Sequence, residues 1–573
     1  MNRIVASVAC FAAAALLPAH IAADVAQALA PEIRVDKARL EAVEDFSESL
    51  ANALLELSVA ARRKDATGIA RYFADDFEAE PLPCRPGALV HQLKWIRTHG
   101  WEVEPGAGGR VEGVSGKSTA AAVENRQMFL DRFSLILQHF SDIEDVRFKV
   151  KDARFDNPEV AAGDARLFFY IVGRDSEGHR EWARATFFIT AKMNAEKAWK
   201  ITRWRTGSLS SDVADADIFS EVALPAGIAR TIPAFGVEPN DGFVAHGGAA
   251  GDVNQDGLID LVVTEIDGNR LFLNDGKGGF TDVSTETMVG YSPKGAGALI
   301  LDYDNDGDAD IFFPSVGNQV LLENRLRPDG VLVFRDVSEQ AGVSVPAVGF
   351  SAAAADVNGD GLPDIYVACY NLYGTVMPNS WSRATNGTPN LLFINKGGRF
   401  VEAAREWGVD DRRWSYAAAF ADVDNDGRPD LFVVNDFGEK ALFINKADHF
   451  EDEAAGRGVL DPGNGMGVSF GDFDNDGDLD LHVTNMSSTA GNRILGRITP
   501  DARPDNNVLK KIAAGNTLFE NLGNGYFKDV SEGAGYFSAG WAYGGGFLDF
   551  DNDGLEDEFT VNGFISGSTM NDT

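Results

Sequence analysis

Asp302, Asp304, Asp306, Asp308 and Asp310 place five carboxylates within nine residues, around Gly307. Like charges at that density repel unless a cation sits among them, so these side chains ask for a divalent ion. The nonapeptide occurs six times. Positions 1, 3, 5 and 9 are Asp252, Asn254, Asp256 and Asp260; Asp302, Asp304, Asp306 and Asp310; Asp356, Asn358, Asp360 and Asp364; Asp422, Asp424, Asp426 and Asp430; Asp472, Asp474, Asp476 and Asp480; and Asp549, Asp551, Asp553 and Asp557. A lone acidic turn is as readily a solvated surface feature as a site. Six copies in register, each with a glycine at position 6, are read as metal loops, because surface turns have no reason to keep Asp at positions 1, 5 and 9.

Oxygen ligands at positions 1, 3 and 5 and a glycine at position 6 follow the arrangement of EF-hand calcium loops. Here the last carboxylate falls at position 9 and an apolar run such as Ile311-Phe312-Phe313 follows at once, so strands flank the loop. Calcium is the expected cofactor, in a structural role. Asn254 and Asn358 can ligate through their amide oxygens but lower the local charge, so those two sites are expected to be weaker.

The chain of 573 residues is too long for one core, and its net charge of -36 argues against nucleic acid or an anionic membrane as a general partner. Three cysteines, Cys10, Cys84 and Cys369, suggest no bridged framework. Residues 1–30 open with Arg3, continue through an apolar run and end in small residues, the pattern of a signal peptide. Export to a periplasmic, cell-surface or secreted location is expected. No other stretch approaches the roughly 20 apolar residues of a membrane span.

Apolar spacing of three to four predicts helices over 35–63, from Asp65 through Phe73, and over 120–140. From Asp145 the period falls to two, predicting strands that include Arg166–Val172, Trp182–Thr190 and Trp199–Trp204. Residues 31–210 are therefore read as a small α+β domain. Residues 211–573 are repetitive. Each unit runs from a Gly/Ala-rich strand through the Asp loop to an apolar strand, a Leu-Phe-x-Asn strand and a short element such as Phe280–Val283. Four short strands per unit make a propeller blade. An all-β propeller of six or seven blades is expected, with Phe219–Ile228 as an outer strand closing the ring.

The N-terminal segments DATGIARYFADDF (Asp65–Phe77) and WKITRWRTG (Trp199–Gly207) resemble the SnoaL-like cone fold of the nuclear-transport-factor-two superfamily. That resemblance implies either an enzyme or a ligand or dimer module, with His91, His99, His139, Asp75 and Asp76 as candidates to line the cone. The repeats resemble FG-GAP/VCBS propellers, and the segment GGGFLDFDNDGLEDEFTVNG is similar to the cartilage acidic protein and UnbV (ASPIC) group. The resemblance implies calcium ligation by the four Asp or Asn positions of each loop.

Two insertions, Asn371–Pro389 and Met486–Gly515, fall between second and third strands and so crown the face opposite the loops. Tyr373, Trp381, Trp407, Trp414 and Trp541 are the expected aromatic platform there, with Arg493 and Arg497 in a basic cluster completed by Arg503, Lys510 and Lys511. Aromatic rings beside cations suit a carbohydrate, an acidic polysaccharide or a protein ligand. The competing reading is that the Trp residues wedge the blades together. The functional expectation is an exported calcium-binding propeller acting as a binding or adhesion module. Its rival is an enzyme with chemistry in the N-terminal cone, although metalloprotease, nucleophile-elbow and paired-His motifs are absent from the sequence.

Overall fold

A computed structural model describes residues 37–562 apart from 104–122, 156, 158, 218, 231–246, 266, 373, 489–490, 492–507 and 537–539. The expected signal peptide lies outside the described residues, as do Tyr373, Arg493, Arg497 and Arg503. Glu32–Ser220 contributes to one compact unit, and Glu221–Ser488 with Asp501–Thr573 to the other. No helix among the described residues is long and apolar enough to cross a membrane.

In the first unit, helix α1 (Lys37–Arg62) buries Leu50, Leu54, Leu57 and Ala61, which its helical period stacks on one face. Helix α2 (Ala66–Ala70) starts at the Asp65 cap, whose side chain accepts the Gly68 N–H, and α3 spans Arg126–His139. The strands are β1 (Phe73–Ala79), β2 (Arg85–Gln92), β3 (Ile96–Glu102), β4 (Glu124–Asn125), β5 (Phe140–Arg154), β6 (Ala162–Asp175), β7 (Arg180–Met193) and β8 (Trp199–Ala214). They form one sheet in the order β2-β3-β8-β7-β6-β5, with β1 added beside β8 and paired to β4. Phe73, expected in a helix, opens β1 instead, where pairing with Ile201 of β8 overrides the local preference. The helices cover one face of the sheet, and aromatic rings fill the space between: Phe148 lies 4.6 Å from Phe169, and Phe187 lies 4.6 Å from Trp204.

Six sheets make up the described part of the second unit. Blade 1 has strands Gly248–Gly251, Asp260–Glu265, Gly268–Asn274 and Phe280–Asp282; blade 2 has Leu299–Leu301, Asp310–Phe313, Val320–Asn324 and Phe334–Asp336. Blade 3 has Pro346–Ala355, Asp364–Cys369, Leu391–Asn395 and Phe400–Glu402, and borrows a fifth strand, Val316–Asn318, from the blade 2 chain. Blade 4 has Ser415–Ala421, Asp430–Asn435, Ala441–Asn445 and Phe450–Asp452; blade 5 has Gly465–Gly471, Asp480–Asn485, Thr517–Asn521 and Phe527–Asp529; blade 6 shows Ala542–Leu548 and Asp557–Asn562. All pairing within the four-stranded blades is antiparallel.

First strands of successive blades lie side by side. A Cβ built on Gly297 would lie 2.8 Å from the Phe350 carbonyl oxygen, and one on Gly467 would lie 3.0 Å from that of Tyr543. That crowding explains why Gly297 and Gly467 carry no side chain. Apolar side chains pack between sheets, as where Tyr303 and Phe312 of blade 2 meet Val367 and Phe393 of blade 3.

Phe219–Ile228 is not the outer strand expected of it. Its final turn docks instead on blade 1, where the Phe280 N–H donates to the Ala226 carbonyl at 2.7 Å. The same backbone bond joins later links to the next outer strand, from Phe334 to Thr287, Phe450 to Trp407 and Phe527 to Arg457. The segment thus repeats the blade-to-blade link and not the strand before it.

Candidate metal centre

Each acidic loop is the turn from the first to the second strand of its blade, and its shape follows from local hydrogen bonding. The position 1 carboxylate accepts the N–H of position 5 at 2.9–3.1 Å and that of the position 6 glycine at 2.7–3.0 Å in all six copies. These bonds fold the backbone around Asp252, Asp302, Asp356, Asp422, Asp472 and Asp549. Position 6 has φ between 85° and 95°, which only glycine adopts without strain. Position 4 is also left-handed, and Asn or Gln fills it in five copies, with Gly359 in the third.

The position 9 carboxylate does a second job. Asp260, Asp310, Asp364, Asp430 and Asp480 are buried, and each accepts the N–H of position 2 at 3.0–3.2 Å through one oxygen. Through the other it accepts the N–H of the Asn ending the third strand, at 2.7–2.9 Å. Burial and then the nearby loop carboxylates push these acids upward against those hydrogen bonds, to about 8 for Asp310, about 7 for Asp430 and about 6 for Asp364 and Asp480. A cation or a proton satisfies such a cluster; bare carboxylates do not.

The donor sets fit a hard divalent cation. One oxygen from each of Asp302, Asp304 and Asp306 lies within 4.8 Å of the others, and the same holds for Asp422, Asp424 and Asp430, for Asp472, Asp474 and Asp480, and for Asp549, Asp551 and Asp553. Metal–oxygen bonds of 2.3–2.6 Å put opposing ligands roughly 4.6–5.2 Å apart, so these groups can close on one ion. The buried Oδ1 of Asp424 takes no hydrogen bond, as an oxygen reserved for a cation would. In the first loop the Asn254 amide donates to Asp256 at 2.9 Å, and in the third the Asn358 amide leans toward Asp364 at 3.5 Å. The fourth loop carries its own cations: Arg428 pairs with Asp426, and Arg457 lies 3.1 Å from Asp424.

Sequence reasoning missed the Asn that ends each third strand. The Nδ2 groups of Asn324, Asn395, Asn445 and Asn521 donate to the position 2 carbonyl of the preceding blade's loop at 2.7–3.0 Å. Each also donates to the position 8 carbonyl of its own loop. The signal was present in the repeated Leu-Phe-x-Asn strand, but its long-range acceptor was not.

One member of the expected aromatic platform belongs to the core. Trp414 is fully buried, edge-on to Tyr370 and Phe437, because the close approach of blades 3 and 4 leaves its ring no route to solvent. Trp407 packs on Phe450 at the link between blades, and half-buried Trp381 leans on Phe437. Trp541 is half-buried and bridges Met486. Lys511 pairs with Asp529 at 3.1 Å.

In the cone the candidate acids and histidines do not converge. Asp75 meets Arg126, Asp76 meets Lys192, His91 is exposed and His99 reaches the Gly87 carbonyl. His139 pairs with buried Glu181 at 2.6 Å and lies edge-on to Trp101.

An FG-GAP-like repeat family matches residues 252–313, 380–433 and 422–483. Human cartilage acidic protein 1 is 32% identical over 135 residues, 22% of this chain and 18% of its own length, and the Xenopus tropicalis protein is 30% identical over 132 residues, 22% of this chain and 20% of its length. The chain thus spans about a fifth of these curated relatives. Among solved structures, an Agrocybe aegerita lectin recognising non-reducing terminal N-acetylglucosamine aligns over 70% of this chain and 86% of its own, at 14% identity and a TM-score of 0.29. A ketosteroid isomerase-like protein from Erwinia carotovora atroseptica aligns over 30% of this chain and 98% of its own, at 11% identity and a TM-score of 0.18. Three stretches of the propeller thus match an FG-GAP-like repeat, and part of the chain is similar to cartilage acidic protein 1.

Proposed function

We propose that the chain is an exported calcium-binding propeller that serves as a binding or adhesion module, with a carbohydrate or protein ligand on the face opposite the calcium loops. The observation that carries the reading is the shared loop geometry, in which carboxylate oxygens gather within one cation's reach in four separate blades. The ligands would be positions 1, 3, 5 and 9, with Asn254 and Asn358 contributing amide oxygens. Bound calcium would supply positive charge that lets these acids ionise together and would hold each turn between its strands. Trp381 and Trp541 remain half-exposed.

Two measurements test it. Elemental analysis of the purified chain should find calcium in stoichiometric excess over protein, and none bound would end the metal half of the proposal. A glycan and protein array should show a ligand that Trp381→Ala loses, and an identical profile for the variant would end the other half.

A further inference from the structure

We propose that the outer face of the N-terminal sheet binds an acidic oligosaccharide, a chain of sugar rings bearing carboxylates. Alternation along β5–β8 turns one set of side chains toward the helices and the other away from them. The face turned away is unlike the rest of this acidic chain. Lys149, Lys151, Arg166, Arg203 and Arg205 stand on it without an acidic ion-pair partner among the described residues, whereas Arg184 is paired with Asp212 at 2.9 Å. Register brings them together: Arg166 lies opposite Phe188, which lies opposite Arg205.

Aromatic rings hold the cations in place. The Arg205 guanidinium lies 3.9 Å from the Phe188 ring centre, and Lys151 and Lys149 lie 5.7 Å from those of Phe168 and Tyr170. Burial, and then neighbouring Arg147, hold the Lys149 ammonium below its usual range; burial, then Lys149 and Arg166, do the same to Lys151. Cations crowded this way gain most from an anion between them.

A cavity of about 760 Å³ opens on this face where Arg166, Phe188, Arg203 and Arg205 converge, a size that takes a small ligand. Its wall also carries Glu78, Glu80, Asp152 and Asp164. That mixture selects the occupant. Guanidiniums grip a sugar carboxylate bidentately, while the acids accept from ring hydroxyls. A nucleic acid, with a phosphate at each unit and few hydroxyls, meets four carboxylates instead.

The test uses the full chain and tetragalacturonate as probe, titrated calorimetrically beside a neutral maltotetraose and a single-stranded oligonucleotide. Expected are saturable binding of the uronate alone and a loss of about tenfold or more in affinity in Arg166→Gln/Arg205→Gln and in Lys149→Gln/Lys151→Gln, as for charge-assisted hydrogen bonds. Arg85→Gln, at a residue that pairs with Glu102 and lies outside the cavity lining, should bind as the parent does. Equal binding by all variants, equal binding of the neutral sugar, or tighter binding of the oligonucleotide would each overturn the assignment. Thermal melts matching the parent confirm that the variants fold, and since the face lies in the N-terminal unit the outcome is independent of calcium binding by the propeller.

Discussion

The side-chain amide of Asn305 donates to the carbonyl of Gly361 at 3.1 Å, joining the second acidic loop to the third. Gln255 reaches Gly307 in the same way, Asn425 reaches Asp478 at 2.6 Å, and Asn475 reaches Gly554 at 3.4 Å. The donor is always position 4, held left-handed by its own loop. Only the third loop lacks the link among these neighbours, because its position 4 is Gly359.

Replacing Asn305 by Ala removes one hydrogen bond and puts a residue with no local support into a left-handed turn. A loss of about 1–3 kcal/mol is expected in urea unfolding. Gly359→Asn should act in reverse. No atom lies within 4 Å of a Cβ there, φ is 72°, and Asn tolerates that region, so a gain of about 0.5–1 kcal/mol is expected from the smaller unfolded ensemble alone. A destabilised Gly359→Asn would contradict the link described here.

Chelation should lower the melting temperature, because each independent ion at a hundredfold excess over its dissociation constant contributes about 2.7 kcal/mol. The fourth loop should release its ion early, since Arg428 competes for Asp426. Arg428→Ala is therefore expected to tighten divalent-ion binding several-fold, read by terbium luminescence; weaker binding would show that the arginine supports the site.

Asn395 is the latch between blades 2 and 3. Its amide donates to Tyr303 and Pro363 carbonyls at 2.7 and 3.1 Å, and it is fully buried. Asn395→Ala leaves two buried carbonyls unpaired, and a loss of about 2–4 kcal/mol is expected in equilibrium unfolding.

Asp436 makes a pH test possible away from the loops. Burial raises its carboxyl to about 6, against hydrogen bonds from Tyr370 and Asn464 and the charge of Lys440. Between about pH 3.8 and 6 the folded chain holds a proton that the unfolded chain has lost, so this group's contribution to stability falls as pH rises through that window. Asp436→Asn removes the ionisation. Its stability relative to the parent should improve by up to about 3 kcal/mol from pH 4 to pH 7, measured by urea midpoints at each pH. A constant difference would show that Asp436 does not titrate there.

Trp414→Ala separates packing from recognition. Its ring is fully buried, so a loss of about 3–5 kcal/mol in stability is expected, as for other buried Trp residues. A ligand lost by a variant that melts like the parent would return Trp414 to the binding face.

The propeller was legible because its information is local and repeated. Positions 1, 5 and 6 of each loop interact within five residues of one another, so spacing alone announces the turn. The N-terminal sheet was half legible: β6 and β7 alternate cleanly, whereas β1, written as Phe-Ala-Asp-Asp-Phe-Glu-Ala, shows its period only once paired with β8.

What the amino-acid order determined by itself was therefore the set of acidic turns and the strands beside them, since backbone N–H groups, carboxylates and glycines separated by a few residues have few ways to satisfy one another. The tertiary structure decided which blade each Asn latches, that Trp414 is core and not platform, and that Arg166, Phe188 and Arg205 share one face. Those outcomes join residues that the chain holds apart by 17 to 98 positions, as Arg205 is from Phe188 and Asn521 from Val423, and only packing brings such groups within reach.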